Sequence, residues 1–342
     1  MTELSVAIIG AGNIAGGYDE RKTQLSGIYS HAGAYSSHGG FRLDTVFDRD
    51  IARAEMFRRS WGVNGCASSL DDILATQHDV ISVCTPDDTH FRILREILAA
   101  RCCRSVFVEK PLADNLAQID EISRLATESR VRVVVNFQRR FEPAHIELRN
   151  SIAERPGELL SVSGHYMKGL QHIGVTMIDT LIYLCGNPGG VLAFNRVPNQ
   201  EIQGGTYEFV LYFPGFTGTV KTTDAERFAY SYHIFEIDLL FRDGRKALVD
   251  ISQGLRESPV TSYAYPGVRV LNDEQSRYRE TAYKRSMLDA ARYVFDVTTG
   301  TKPHTINTPE SSYNNQLIID SIIESFDRGM IRLNFESTNW KT

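Results

Sequence analysis

The chain has 342 residues, 42% of them hydrophobic and 23% charged, with a formal net charge of −5. That length is more than one hydrophobic core usually serves, so two domains are expected. The acidic balance, without blocks of Lys or Arg, argues against nucleic acid as partner, and no apolar run reaches the ~20 residues of a membrane span.

The N-terminus, Met1-Thr2-Glu3-Leu4, has no basic segment ahead of the first strand, which makes the cytoplasm the expected location. That strand, over 6–9, runs straight into Gly10-Ala11-Gly12-Asn13-Ile14-Ala15-Gly16. Glycines directly after a buried strand allow a tight turn and a close approach of backbone to a pyrophosphate. Free N–H groups at a helix N-terminus favour its oxygens. Gly10, Gly12, Asn13 and Ile14 are therefore expected to cradle a dinucleotide, with a plain structural turn as the alternative. The stretch 16–30 has no apolar period; it reads as a lid over the turn or as a solvated excursion, with helix resuming at His31.

Further strands are expected over 42–47, 65–67, 79–84, 105–108 and 131–137, alternating with helices over 50–61, 69–75, 89–101 and 115–129. Such alternation predicts an α/β doubly wound parallel sheet of Rossmann type, and ligands of these sheets bind beyond the carboxyl ends of the strands. Gly10, Asp48, Thr85-Pro86 and Glu109-Lys110-Pro111 all fall there. From about Gly157 the pattern changes to longer strands over 159–167, 191–197, 207–213, 217–223, 232–241 and 246–251, with helices over 173–185, 281–298 and 309–328. This predicts an α+β second domain with a large, mostly antiparallel open sheet, dividing the chain into 1–140 and 141–342. Apolar residues on both faces of its strands predict a homodimer or homotetramer. The five cysteines show no metal-ligand spacing, so free thiols and no metal site are expected.

Asp48, at the end of the second strand, can accept the ribose hydroxyls of an adenosine, which favours NAD. Arg49 beside it could instead meet the 2′-phosphate of NADP. Two more segments deliver polar groups to the same edge: Cys84-Thr85-Pro86-Asp87-Asp88-Thr89-His90 and Val106-Phe107-Val108-Glu109-Lys110-Pro111-Leu112. Together with the glycine turn, with Gln138-Arg139-Arg140-Phe141-Glu142-Pro143 and with Ile318-Ile319-Asp320-Ser321-Ile322-Ile323-Glu324-Ser325, they resemble the glucose-fructose oxidoreductase and inositol dehydrogenase (Gfo/Idh/MocA) family of NAD(P)-dependent oxidoreductases.

The resemblance implies a catalytic or substrate-orienting Lys110, and a cofactor contacted by Thr85, Pro86, His90, Glu109, Lys110 and Gln138 as well as by the glycine turn, Asp48 and Arg49. Independently, a partly desolvated lysine at a strand end suits proton exchange with a substrate oxygen. In Leu170-Gln171-His172-Ile173-Gly174-Val175-Thr176-Met177-Ile178-Asp179 the family has an acidic residue or histidine, then a catalytic histidine, then aspartate. Here His172 fills the first place, Asp179 the last, and Thr176 stands where the catalytic histidine would be. Threonine takes no proton near neutral pH, so the role must move or vanish.

At 100° per residue His172, Thr176, Asp179 and Tyr183 form one stripe, either a wall facing a cleft or a partly buried network. His172 is a substrate contact or a structural cap. Tyr166 and Lys168 are weaker candidates for the displaced acid/base role, and a core tyrosine is the alternative for Tyr166. The expected activity is hydride transfer to or from a sugar, sugar derivative or cyclitol. A non-catalytic dinucleotide-binding sensor or regulator is the alternative.

Overall fold

A computed structural model describes residues 3–20, 27–197, 205–223 and 234–341. Contacts divide the chain into two units, Met1–Glu142 with Lys284–Tyr313, and Pro143–Tyr283 with Asn314–Lys341.

The first unit holds β1 (Leu4–Ile9), β2 (Phe41–Phe47), β3 (Gly65–Cys66), β4 (His78–Val83), β5 (Cys103–Val108) and β6 (Arg132–Val135). They form one parallel sheet in the order β3-β2-β1-β4-β5-β6. The order reverses beside β1, the kind of crevice in which doubly wound sheets bind ligands. Val6, Ala7, Ile8 and Ile9 have no exposed surface, as befits a central strand covered on both faces. Between the strands run α1 (Tyr18–Glu20), α2 (His31–His38), α3 (Ile51–Trp61), α4 (Leu70–Leu74), α5 (His90–Ala100) and α6 (Leu116–Ser129). Helix α3 starts where the Asp50 side chain accepts the N–H groups of Ala52 and Arg53, and it stops at Gly62 in the left-handed region.

The second unit contains α7 (Pro143–Glu154), β7 (Leu159–Tyr166), α8 (Val175–Cys185), β8 (Gly190–Val197), β9 (Thr206–Phe213) and β10 (Phe216–Thr222). It continues with β11 (Phe235–Phe241), β12 (Gly244–Val249), β13 (Gly254–Ser262), β14 (Arg269–Leu271) and β15 (Arg277–Glu280). After α9 (Ser286–Thr299) and α10 (Pro309–Asp327) comes β16 (Leu333–Asn334). The large sheet runs β14-β13-β12-β11-β7-β10-β9-β8-β16, with β15 beside β13. Among the described pairs only β7 and β10 are parallel.

Three features differ from expectation. Helix α9 lies in the first unit rather than the second, because Met287, Ala290, Ala291, Val294 and Val297 join that unit's hydrophobic core. Full burial of Met287, Val294 and Val297 stabilises that docking by about 1.5–3 kcal/mol each. Helix α7 and strands β13 to β16 were not expected; α7 has little apolar period, and β13 carries Gly254 and Pro259, which mute a strand signal. The expected helix over 173–185 begins only at Val175, preceded by a π-helical turn over Gly169–Gly174. Part of the expected lid, residues 21–26, and the start of the strand expected over 232–241 lie outside the described residues. No described helix is long and apolar enough to cross a membrane, and the five cysteines are free.

Candidate active site

Beyond the last residue of β1, β4, β5 and β6, the next N–H bonds back to a neighbouring strand's last carbonyl. Gly10 reaches Phe47 at 2.7 Å, Cys84 reaches Ile9 at 2.8 Å, Glu109 reaches Val83 at 3.0 Å and Asn136 reaches Val108 at 2.8 Å. Four residues thus stand in register along the carboxyl edge.

Gly10 has φ +93°, and a Cβ there would sit 2.7 Å from the Cys84 carbonyl oxygen, so only glycine fits. At Gly12 a Cβ would meet nothing within 4 Å, so the turn is open on that side. The turn continues into a π-helical segment over Asn13–Gly17, and with Glu20, Arg53, Phe57, Arg59 and Ser60 it lines a groove of about 680 Å³ in which two cations outnumber one carboxylate. Asn13 is exposed, whereas Ile14 packs partly buried against the core. A backbone that admits close approach, N–H groups at a helical start and a cationic side chain suit a pyrophosphate, so the cradle fits a dinucleotide.

Asp48, 8% exposed, ties this turn to the end of β2. Its Oδ2 accepts the Ala11 N–H at 2.8 Å and its Oδ1 accepts the Asp50 N–H at 2.9 Å. Each carboxylate oxygen keeps a second lone pair, which is what a ribose hydroxyl would use. Arg49 is exposed, and half-exposed Arg53 lies 3.8 Å from Asp48.

After β4, the Thr85 hydroxyl accepts the Thr89 hydroxyl at 2.7 Å, and Pro86 is exposed. His90 is fully buried, its Nε2 2.9 Å from the Thr85 carbonyl and its Nδ1 2.7 Å from the Pro111 carbonyl. It straps the two loops together, and no ring nitrogen is presented to a ligand. Gln138 accepts a 2.6 Å hydrogen bond from Ser286 at the start of α9.

Lys110 follows Glu109 and precedes a cis peptide bond to Pro111. Burial pulls the ammonium below the ordinary lysine range; the Glu109 and Asp87 carboxylates oppose this, and Arg139 reinforces it. Glu109 accepts at Oε1 from His31 Nε2 at 3.0 Å and from Asn136 Nδ2 at 2.5 Å. Burial alone would push its carboxyl up, but His31, Asn136 and the Lys110 charge together hold it below the ordinary value. His31, Ser82 and Asn136 escaped the sequence reading. The usable signal was a polar residue among or just after the apolar residues that end a strand, as at Ser82 and Asn136.

The second unit carries the remaining candidates. Tyr166 is fully buried: its hydroxyl donates to the Tyr207 carbonyl at 2.8 Å and accepts the Tyr207 N–H at 3.0 Å. Burial raises its pKa further, so the phenol is the core tyrosine and does not supply an acid. Lys168, part-buried with φ +66°, precedes the π-helical turn. His172 is exposed on that turn, outside α8, so the 100° stripe does not extend to it. Thr176 and Asp179 are 8% and 1% exposed, and Asp179 accepts at 2.8 Å from Asn315 of α10. Asp179 thus belongs to a buried network, one of the two readings left open, and Thr176 is buried on the same helix.

A family model described as an oxidoreductase family with an NAD-binding Rossmann fold matches residues 4–137. The scyllo-inositol 2-dehydrogenase (NAD(+)) of Bacillus subtilis (strain 168) is 31% identical over 276 residues, 74% of this chain and 79% of that protein. The inositol 2-dehydrogenase of Rhizobium meliloti (strain 1021) is 30% identical over 136 residues, and the chain spans only 40% of its length. Levoglucosan dehydrogenase, solved with NADH and levoglucosan, superimposes with a TM-score of 0.76 at 17% identity, covering 97% of this chain and 99% of that one; this likeness is of fold alone. On the glycine cradle, the Glu109-Lys110-Pro111 edge and these matches, the chain belongs to the Gfo/Idh/MocA family of oxidoreductases, whose first domain is an NAD-binding Rossmann fold.

Proposed function

We propose that the protein is an NAD(P)-dependent dehydrogenase or reductase acting at a hydroxyl or keto carbon of a sugar, sugar derivative or cyclitol. The observation that carries this reading is Lys110, a desolvated lysine at the carboxyl edge of the sheet that also carries the dinucleotide cradle. A lysine that sheds its proton more readily than an exposed one offers a neutral amine whose Nζ can take the hydroxyl proton during oxidation, and the resulting ammonium can return it during reduction. When bound, the nicotinamide supplies hydride exchange at the substrate carbon.

The other residues hold and orient. Gly10, Gly12, Asn13 and Ile14 carry the pyrophosphate, Asp48 the ribose, and Thr85, Pro86, Glu109 and Gln138 the remaining edge. NAD is favoured over NADP because the Asp48 carboxylate repels a 2′-phosphate, while Arg49 and Arg53 are exposed enough for salt to screen them. His172 is the second proton-handling candidate, on the strength of its exposed imidazole. A homodimer or homotetramer belongs to the same proposal, supported by Val210, Tyr212 and Leu240 on the less buried face of β9 and β11; light scattering on the purified protein tests it. The sensor alternative finds no support, since the matched relatives are named as dehydrogenases.

The test is Lys110→Ala. Calorimetry should show NAD(H) binding retained, while polyol oxidation followed at the reduced-nicotinamide absorbance is lost. Equal turnover in variant and wild type refutes the role of Lys110, and a wild type that binds neither NAD(H) nor NADP(H) refutes the whole reading. His172→Ala should lower turnover at unchanged stability; unchanged turnover removes His172 from the reaction.

A further inference from the structure

Behind Glu109 lies a row of buried groups that the proposed chemistry does not use. Tyr35, Ser82 and His31 have no exposed surface. The Tyr35 hydroxyl is 2.6 Å from Ser82 Oγ, Ser82 Oγ is 3.2 Å from His31 Nδ1, and His31 Nε2 is 3.0 Å from Glu109 Oε1. The carboxylate end decides which way the hydrogens point. An ionised carboxylate only accepts, so His31 Nε2 carries a hydrogen. In the neutral ring His31 Nδ1 then accepts the Ser82 O–H, and Ser82 Oγ accepts the Tyr35 O–H. Every hydrogen in the row has an acceptor.

Protonation of Glu109 at Oε1 would reverse the row and strand the Tyr35 O–H, whose one partner among the described residues is Ser82, and protonation at Oε2 would remove the charge that strengthens both bonds to Oε1. Asn136 argues the same way. It turns its Nδ2 to Glu109 and leaves its own Oδ1 buried without a hydrogen-bond partner, an orientation that an accepting carboxylate rewards most, because a bond to an ionised acceptor is the stronger one.

We propose that His31 is a positioning residue that, through Glu109, keeps a fixed negative charge beside Lys110 while the lysine gains and loses its proton. The inference rests on the reading of Lys110 as the proton-handling group. The groups facing this carboxyl are His31 from α2, Cys84 at the end of β4, Asn136 after β6 and Lys110 itself, and Asp87 and Arg139 act on the lysine.

The experiment reads the Glu109 carboxyl directly in cofactor-free protein, by the infrared band of the protonated acid as pH is varied, assigned by its loss in Glu109→Gln. His31→Phe, which removes the donor, should raise the protonation midpoint by roughly 1 to 2 pH units. His31→Gln keeps an N–H at similar reach and should restore most of the shift. If His31→Phe does not fold, Ser82→Ala serves: it frees Nδ1 to hold the hydrogen and should also move the midpoint up. A midpoint unmoved in the variant that folds overturns the inference, as do equal shifts in the Phe and Gln variants, which would mark a packing effect. In the active enzyme the acid limb of kcat should move up in the same order of variants. Because the infrared readout needs neither cofactor nor substrate, a wild type without turnover would sink the Lys110 reading and leave the His31–Glu109 result standing separately.

Discussion

Tyr166→Phe separates a structural phenol from a catalytic one. The wild-type hydroxyl makes two hydrogen bonds, both to the Tyr207 backbone and both buried. Removing one oxygen atom leaves a buried N–H and a buried C=O without that partner, and each stranded group costs about 1–3 kcal/mol. Some relaxation around the vacated volume is expected, so the second unit should lose about 2–4 kcal/mol. With a urea dependence of about 2 kcal/mol per molar, its unfolding midpoint should fall by roughly 1–2 M. The assay is urea unfolding followed by circular dichroism, paired with kcat measured on folded protein. The expected result is a large loss of stability with kcat unchanged. If the midpoint held while kcat fell by about a hundredfold or more, the scale of a lost general acid, the structural assignment of Tyr166 would be wrong.

Gly10→Ala should destabilise the first unit by about 2–4 kcal/mol, summing left-handed strain with the approach of a Cβ to the Cys84 carbonyl, and should weaken NAD(H) binding by calorimetry; wild-type stability would refute the close approach. Asp48→Ala should cost about 1–3 kcal/mol by stranding the buried Ala11 N–H, and should narrow the preference for NAD over NADP; an unchanged cofactor ratio would remove Asp48 from the ribose. Glu109 contributes a pH dependence of fixed sign. Its folded-state pKa lies below that of the unfolded chain, so its contribution is complete above about pH 4.3 and is lost as pH falls through the lower folded value. Glu109→Gln should therefore flatten the acid side of the stability profile, and a profile identical to wild type would show that the carboxyl is not held down by folding.

Much of the first unit was legible because its signals are local. A buried strand followed by glycine announces the cradle, and regular strand-helix alternation dictates a parallel sheet whose carboxyl edge collects Gly10, Asp48 and Lys110. The capping Asp50 and the terminal Gly62 set the bounds of α3 within a residue of expectation. Such features depend on neighbours a few positions away, and one sequence contains them.

What lay hidden depends on partners far apart in the chain. His31 meets Glu109 across 78 positions, and Tyr166 meets Tyr207 across 41. Composition treats these as one more histidine and one more tyrosine. Helix α9 returned to the first unit through its apolar face, and the π-helical turn took His172 off a stripe that an ideal helix would have kept. The sequence by itself determined the sheet, the glycine turn and the edge on which Lys110 stands, since backbone periodicity and glycine geometry are properties of short segments. Only the tertiary structure decided which polar groups are buried and against what, because burial and hydrogen-bond partners exist once distant segments have packed.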